Sequence, residues 1–256
     1  MDLNRIKQVG IAAATAGARV LRDKFGKLRS IRKKGAIDLV TEADISSEKA
    51  IIETISEAFP DHAILAEENG SRAGTGGLWI IDPLDGTTNF AHNLPIFCVS
   101  IAFAAHDDIL AGFVLAPVLG ELFVGIRDMG AQRNGDPIEV SKTETLADSL
   151  LVTGFPYDHQ TIFEPLMARF GRCLSATQGV RRLGSAALDL CYVASGRFDG
   201  FWEQHLKPWD TAAGFLIATE AGARTTVFSG GTYSMYADEI ACTNGAIHDE
   251  LLTLIQ

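Results

Sequence analysis

The arrangement of apolar and polar residues predicts two helices near the start of the chain. Residues 4–25 are rich in alanine, and residues 42–58 carry apolar side chains at the spacing of one helix face. Thr41 is placed to cap the second helix, Asp44 lies in its first turn, and Pro60 ends it. The chain is therefore expected to open with two helices, the second of which has well-defined ends.

Short apolar runs then predict strands. Residues 63–66 and 78–81 are the first two, and residues 97–127 are typical of three antiparallel strands joined by turns. The stretch 69–77, between the first two strands, is rich in glycine and favours a mobile loop. The first half of the chain is thus expected to form an α+β unit.

The pattern changes near residue 147, beyond which strands and helices alternate. The candidate strands are 149–153, 178–181, 198–202 and 239–242, and the candidate helices are 160–174, 185–195, 210–221 and 246–255. Alternation of this kind predicts an α/β unit. We therefore expect two lobes, an N-terminal α+β lobe over residues 1–146 and a C-terminal α/β lobe over residues 147–256.

Size and charge narrow the possible functions. The chain has 256 residues with 47% apolar content, which is enough for one large core or for two lobes that share one. Its formal net charge of −10 argues against broad nucleic-acid binding. The basic residues Arg29, Arg32, Lys33 and Lys34 lie close together, and we interpret them as a solvated loop before a strand.

Cysteine spacing and the lengths of the apolar runs indicate a cytoplasmic protein. The four cysteines are far apart and form no C-x-x-C pair. Residues 1–10 lack the apolar core of a signal peptide, and the longest apolar run, 96–105, is too short to span a bilayer. We therefore expect a reducing compartment, no membrane association, and four cysteines buried as core thiols.

The strongest chemical signal is the segment WIIDPLDGTTNF, residues 79–90. Two carboxylates, Asp82 and Asp85, follow an apolar strand directly, and Pro83 stiffens the turn between them. Gly86 then permits a backbone conformation that other residues resist. A turn capped by an Asx hydrogen bond is the alternative interpretation, but turn chemistry alone does not require two acids and two threonines.

The residues after this turn indicate a phosphate site. Thr87, Thr88 and Asn89 can open a helix whose free backbone N–H groups bind an anion, usually phosphate. Carboxylates beside such a site would repel phosphate unless a cation lay between them. Mg²⁺ is the simplest such cation, because it binds one or two carboxylates together with phosphate oxygens.

More acids follow other predicted elements. Glu67 and Glu68 end the strand 63–66, and Asp210 lies in KPWDTAAGF at the start of a helix. Each has an alternative interpretation, a solvated pair for Glu67 and Glu68 and a helix N-cap for Asp210. Acids at the ends of several strands can nevertheless point into one crevice, where the ligand sites of α/β proteins tend to lie.

Taken together, these segments resemble the inositol monophosphatase family of Mg²⁺-dependent, Li⁺-sensitive sugar-phosphate phosphatases. Five motifs carry the resemblance over nearly the whole chain: DLVTEAD (38–44), AEEN (66–69), WIIDPLDGTTNF (79–90), GSAALDL (184–190) and WEQHLKPWDTAAG (202–214). The resemblance implies a layered α+β or α/β sandwich with alternating helix and sheet layers, the sugar-phosphatase fold, whose two lobes share one active-site crevice. One departure is Ala66, because the family often has glycine before the metal-binding glutamate.

The resemblance also implies two or three bound Mg²⁺ ions. Glu67 would bind the first ion and a looser third one, and Asp82 would bridge the first and second ions. The backbone carbonyl of Leu84 would complete the first site. Asp85 and Asp210 would hold the second ion.

The same resemblance implies catalytic and substrate contacts. Thr87 paired with Asp44 would orient the attacking water, and Glu67 completes the catalytic set. Gly86, Thr87 and Thr88 would cradle the phosphate. The full set of substrate contacts would be Asp85, Gly86, Thr87, Thr88, Ala186, Glu203 and Asp210.

The expected reaction is hydrolysis of myo-inositol monophosphate to inositol and phosphate, by in-line attack of a metal-activated water. Glu203 favours this substrate because it could accept hydrogen bonds from ring hydroxyls. Histidinol phosphate, fructose 1,6-bisphosphate and 3′-phosphoadenosine 5′-phosphate are alternatives that relatives on the same fold use. A bisphosphate would need extra cations, for which Lys207, Lys33 and Lys34 are candidates.

Two further interpretations stay open. A non-catalytic regulatory binding protein could keep the site as a relic, although the intact set of acids speaks against it. A phosphatase with an aspartyl-phosphate intermediate uses D-x-D, whereas this chain has D-x-x-D. The family is commonly dimeric, so the resemblance implies a homodimer, with a small-molecule phosphate ester as the other partner.

Overall fold

The structure is a computed structural model that describes residues 2–27, 31–33, 39–106, 108–156 and 159–256, with the backbone alone for residues 31–33, 39 and 40. Part of the predicted basic loop is a strand, Ile31–Lys33, so the loop prediction is wrong over that stretch. Arg29 and Lys34 lie outside the described residues, as does the first residue of the motif 38–44.

The described residues form seven α-helices and fifteen strands. The helices are α1 (Leu3–Lys24), α2 (Glu42–Ala58), α3 (Thr87–Ala91), α4 (Phe163–Ala176), α5 (Ala186–Ala194), α6 (Pro208–Glu220) and α7 (His248–Ile255). The strands are β1 (Ile31–Lys33), β2 (Leu39–Thr41), β3 (Ala63–Ala66), β4 (Gly70–Arg72), β5 (Leu78–Asp85), β6 (Cys98–Ala105), β7 (Asp108–Ala116), β8 (Glu121–Ile126), β9 (Ala131–Arg133), β10 (Asp136–Pro137), β11 (Leu150–Thr153), β12 (Gly179–Arg181), β13 (Gly200–Gln204), β14 (Arg224–Thr226) and β15 (Glu239–Thr243).

Two mixed sheets organise the part of the chain that the structure describes. The large sheet has the order β10-β9-β8-β7-β6-β5-β3-β4, in which β3 and β5 are parallel and the other neighbours are antiparallel. The small sheet has the order β12-β11-β13-β15-β14, with β11 parallel to both of its neighbours.

Helices and sheets alternate in layers, so the predicted layered sandwich is confirmed. Helices α1 and α2 cover one face of the large sheet, and α5 and α6 lie between the two sheets. Helices α4 and α7 cover the outer face of the small sheet. The division of the chain into lobes at residues 146 and 147 stays a prediction.

Burial on both faces explains the continuous apolar runs of the central strands. On β5, Ile81 packs in the core cluster of α1 and α2, whereas its neighbour Ile80 packs in the cluster that contains α5 and α6. Successive side chains of a strand point to opposite faces, so both faces need apolar residues. Gly112 on β7 brings α6 close, because a Cβ there would lie 2.6 Å from the backbone oxygen of Ala213.

Several elements differ from the sequence prediction. The glycine-rich stretch 69–77 contains strand β4, which pairs with β3 at the edge of the large sheet. It is also fastened by Arg72, whose guanidinium donates to Ser56 Oγ at 3.0 Å and to the His62 carbonyl at 3.3 Å. Its mobility stays a prediction. Strands β9, β10 and β14 were missed, because such short and mixed-polarity segments carry little periodicity.

The cysteines agree with the prediction of core thiols. All four lie among the described residues, and each is buried and free. Among the described residues, no helix combines the length and apolar content needed to cross a bilayer.

Candidate active site

A crevice of about 690 Å³ brings the predicted site residues of both halves of the chain together. Its walls include Glu67, Asp85, Gly86 and Thr88 from the first half. From the second half, the walls include Ala186, Glu203 and Asp210. The prediction that acids at separate element ends share one crevice is thus met by Glu67, Asp85 and Asp210.

The segment from Asp82 to Asp85, at the end of β5, is shaped by a break in strand pairing. Asp82 pairs with Ser100 and Asp85 pairs with Cys98, so the register shifts between the two acids. The Leu84 N–H donates to Asp82 Oδ1 at 2.9 Å, which fixes the turn from inside. Asp82 and Leu84 are buried, and their positions agree with the predicted ligand turn.

Gly86 ends this turn and begins α3. Its φ is 94°, in the left-handed region that glycine favours, and a Cβ there would lie 2.9 Å from the Ile96 carbonyl oxygen. Thr87 and Thr88 are the first two residues of α3. The glycine therefore allows Thr87 to turn inward, where it is 7% exposed, while Thr88 stays on the surface of the crevice.

Asp44 and Thr87, 43 positions apart in sequence, are in contact. Thr87 Oγ1 lies 3.1 Å from Asp44 Oδ1 and 3.0 Å from the Leu84 carbonyl oxygen, and its single proton can serve one of them at a time. Asp44 Oδ2 accepts from the Thr41 N–H at 2.8 Å and from Thr41 Oγ1 at 2.6 Å, which completes the predicted cap of α2. Burial raises the pKa of Asp44, and the hydrogen bonds from Thr41 and Thr87 oppose that rise.

Asp85 joins the two halves of the site. Its Oδ2 accepts from Ser185 Oγ at 2.7 Å and from the Ala187 N–H at 2.8 Å, both at the start of α5. Burial raises the pKa of Asp85, while the Ser185 and Ala187 hydrogen bonds hold it down. At least one carboxylate oxygen of Asp85 is therefore committed to the start of α5.

Asp210 and Glu203 reach the crevice from the second half of the chain. Asp210 Oδ2 accepts from the Lys207 N–H at 2.6 Å at the start of α6. The N-cap interpretation of Asp210 is wrong, because Lys207 is the N-cap and Asp210 is the third residue of the helix, from which its carboxylate reaches back to the N-cap backbone. Glu203 on β13 lies against Gly154, where a Cβ would approach its carboxyl carbon to 2.1 Å. Burial in the crevice raises the pKa of both acids to about 8.

Electrostatic repulsion among four acids, Glu67, Asp82, Asp85 and Asp210, indicates a cation site. Burial raises the pKa of Asp82 well above its ordinary value, and the charges of Glu67, Asp85 and Asp210 raise it further. Such repulsion is relieved when a cation binds among the carboxylates. Their hard oxygen donors suit Mg²⁺ rather than a soft metal.

The acids do not form a ready-made metal cluster. Among the described residues, no three His, Cys, Asp or Glu side chains stand close enough together to share one ion. The oxygen donors of these acids and the repulsion between their charges fit Mg²⁺. To bind one ion together, the carboxylate oxygens would have to move closer to one another.

The structure adds three residues to the neighbourhood of the site that sequence reasoning missed. Ser185 holds Asp85, and Arg182 lines the crevice near Glu203. Asp189 on α5 is fully buried, and neither of its carboxyl oxygens has a hydrogen-bond partner among the described residues. Ser185 and Asp189 belong to the motif 184–190, so that motif was the available signal.

Comparisons with known proteins agree with this geometry. Residues 2–256 match the model of the inositol monophosphatase family. The chain is 45% identical over 253 residues to an inositol-1-monophosphatase of Synechocystis sp., covering 98% of this chain and 88% of the relative. It is 41% identical over 252 residues to the Nus factor SuhB of Pseudomonas aeruginosa, covering 96% of this chain and 93% of the relative.

A solved structure agrees as well. The inositol monophosphatase from Anabaena (Nostoc) aligns with a TM-score of 0.91 and 42% sequence identity, over 100% of this chain and 96% of that one. Both the family match and the structural alignment include the crevice residues from the two halves of the chain. The chain therefore belongs to the inositol monophosphatase family and is, by class, a phosphoric monoester hydrolase.

Proposed function

We propose that this protein is a Mg²⁺-dependent phosphatase that hydrolyses myo-inositol monophosphate to inositol and phosphate. One observation carries the proposal: Glu67, Asp85 and Asp210, from three separate segments, line one crevice, and all three raise the pKa of the buried Asp82. Thr87, which contacts Asp44, lies between the crevice residues Gly86 and Thr88 in the sequence. Release of inorganic phosphate from this ester, with and without Mg²⁺, tests it.

The proposed cation ligands are Glu67, Asp82, Asp85, Asp210 and the backbone carbonyl of Leu84. When bound there, two or three Mg²⁺ ions would neutralise phosphate charge and lower the pKa of a water. The Leu84 carbonyl now competes with Asp44 for the Thr87 proton. If that carbonyl bound a cation, Asp44 would be left as the acceptor for Thr87.

Thr87 and Asp44 are the proposed residues for activating water. The Thr87 hydroxyl can accept a hydrogen bond from the attacking water while it donates its own proton toward Asp44 Oδ1. Because burial raises the pKa of Asp44, this carboxylate is a stronger proton acceptor than an ordinary surface aspartate. Glu67 completes the proposed catalytic set as a cation ligand.

The substrate would lie along the crevice with its phosphate at Gly86, Thr87 and Thr88. Its ring would then reach Ala186 and Glu203, and a Glu203 carboxylate could accept hydrogen bonds from two hydroxyls. Lys207, one of the cations predicted to serve a bisphosphate, lines the crevice. Arg182, which was not predicted, lines it as well. A bisphosphate therefore remains an alternative substrate, as do histidinol phosphate and 3′-phosphoadenosine 5′-phosphate.

Lithium is expected to inhibit the enzyme, because Li⁺ would compete for the proposed second cation site at Asp82, Asp85 and Asp210. Initial rates should fall with added LiCl at limiting Mg²⁺ and recover as Mg²⁺ is raised. KCl at the same ionic strength is the control. Equal rates in LiCl and KCl would count against this ligand assignment.

Mg²⁺ is expected to raise the melting temperature more at pH 8 than at pH 6. The pKa of Asp210 is raised to about 8 in the folded chain, so the folded chain still holds this proton at pH 6 and loses it as the pH rises through 8. The stability that the proton gives is complete below about pH 4, the ordinary pKa range of aspartate, and is lost by about pH 8. A cation competes with that proton, so it binds more tightly to the deprotonated site. Calorimetry with MgCl₂ against NaCl of equal ionic strength measures the difference. An equal shift at both pH values would contradict the expectation.

A regulatory binding function is the second candidate. It is favoured by relatives named Nus factor SuhB, including that of Pseudomonas aeruginosa. A chain that bound Mg²⁺ but released phosphate from no ester would support this candidate. Trapping a phosphoenzyme would instead support a mechanism with an aspartyl-phosphate intermediate.

We further propose that the protein is a cytoplasmic homodimer. Sedimentation of the purified protein would test its oligomeric state.

A further inference from the structure

Glu48 is a buried carboxylate that the proposed reaction does not use. It lies on α2, one turn after Asp44, and none of its surface is exposed. Its Oε2 accepts from the Glu68 N–H at 2.9 Å. Its Oε1 accepts from the Asn69 N–H at 2.9 Å and from Asn69 Nδ2 at 2.5 Å. Burying a carboxylate is costly without such donors, so these three bonds keep Glu48 in place.

These donors follow Glu67 directly in the β3–β4 hairpin. Ala66 pairs with Gly70, so residues 67–69 form a three-residue turn, and Gly70 has the left-handed φ of 74° that such turns favour. The Glu67 N–H donates to the Ile81 carbonyl on β5 at 3.2 Å. The turn is thus held by the sheet at its first residue and by Glu48 at the next two.

Helix α2 contacts two of the segments that carry the proposed cation and water sites, the segment 82–87 and the turn after Glu67. Asp44 meets Thr87, and Ser47 Oγ donates to the Pro83 carbonyl at 2.9 Å, between Asp82 and Asp85. Glu48 meets the turn after Glu67. These α2 residues are three and four positions apart, which places them on one face of the helix.

We propose that Glu48 is a positioning residue for the cation site, because it fixes the turn 67–69 so that Glu67 faces Asp82 and Asp210. A carboxylate suits this role because it accepts from two successive N–H groups and a side-chain amide without offering a donor of its own. Glu67 lies near enough to raise the pKa of both Asp82 and Asp210. The inference rests on the proposed Mg²⁺ dependence.

Glu48→Gln tests this role, because it keeps the side-chain shape but turns one acceptor oxygen into a donor that faces a backbone N–H. Titration calorimetry without substrate is expected to show a Mg²⁺ dissociation constant raised roughly 10- to 100-fold, the usual effect of removing a group that orients a metal ligand. At saturating Mg²⁺, the KM for the phosphate ester should stay close to that of the wild type. Unchanged Mg²⁺ affinity in Glu48→Gln would overturn the proposal.

Ile51→Val is the matched control for general destabilisation. Ile51 is fully buried on the same helix and belongs to the core cluster of α1 and α2. It should lower the melting temperature without changing Mg²⁺ affinity. If Ile51→Val weakened Mg²⁺ binding as much as Glu48→Gln does, the effect would reflect stability alone and the proposal would be wrong.

Asn69 variants test the same role of Glu48 and can be used if Glu48→Gln does not fold. Asn69→Ala removes one donor to Glu48 from an exposed residue, and Asn69→Asp replaces that donor with a like charge. Mg²⁺ affinity should fall in both, and further in Asn69→Asp. Wild-type affinity in both variants would overturn the role of Glu48. Absence of Mg²⁺ binding by the wild type would overturn the proposed metal dependence, and the role of Glu48 with it.

Discussion

Asp82→Asn is expected to lower kcat by several orders of magnitude while the chain stays folded. Asp82 is 2% exposed, and its carboxylate feels the charges of Glu67, Asp85 and Asp210. In the proposed function it would touch two cations at once. The asparagine loses the negative charge and presents two hydrogen-bond donors to the cations in one rotamer. Steady-state kinetics at increasing Mg²⁺ concentrations would measure the loss, and excess Mg²⁺ should restore little of it.

Asp189→Asn is the matched control for this variant. Asp189 is also a fully buried carboxyl whose pKa is raised by burial, and neither of its oxygens has a hydrogen-bond partner among the described residues. Asp189 is not a proposed cation ligand, so the same chemical change there should leave kcat near that of the wild type. Near-wild-type turnover by Asp82→Asn would contradict the proposal that Asp82 binds both cations.

Thr87→Ala and Asp44→Asn are each expected to lower kcat strongly with little rise in KM. A threonine hydroxyl is a poor base alone, but it can accept a proton from water while passing its own to Asp44 Oδ1, 3.1 Å away. This proton transfer stabilises only the transition state, so its loss should lower kcat and leave substrate affinity unchanged. Because the pair acts as a unit, the double variant should be hardly slower than either single one.

The control for this pair separates catalysis from helix capping. Asp44 also accepts two hydrogen bonds from Thr41, so Asp44→Asn weakens the cap of α2 as well. Thr41→Val removes the hydroxyl bond of that cap and leaves the Thr87 contact in place. Its change in kcat therefore measures the effect of the weakened cap alone. Additive losses in the double variant, or an effect confined to KM, would mean that Thr87 and Asp44 do not activate water together.

Local sequence patterns predicted the elements that carry the site. Thr41 and Asp44 are three residues apart before an apolar helix face, and they form the expected cap. The apolar run before Asp82 predicted β5, although the strand continues through Asp85. These features depend on neighbours within a few residues, which is why the sequence alone shows them.

Contacts between distant segments could not be predicted in this way. Nothing in the local pattern around Glu48 indicates that its carboxylate holds the N–H groups of Glu68 and Asn69, about 20 positions away. The bond from Ser185 to Asp85 spans 100 positions. Both depend on how the layers stack. The family resemblance supplied the predicted roles of the acids, but it left the groups that hold them unnamed.

Phosphate release from a panel of esters, with and without Mg²⁺, is the most direct test of the proposed Mg²⁺-dependent phosphatase. The panel holds myo-inositol 1-phosphate, histidinol phosphate, fructose 1,6-bisphosphate and 3′-phosphoadenosine 5′-phosphate, with Asp82→Asn as the inactive control. We expect the highest kcat/KM for the inositol ester, no release after Mg²⁺ is removed by a chelator, and recovery when Mg²⁺ is added back. Equal release in the chelator, or no release from any ester in Mg²⁺, would contradict it.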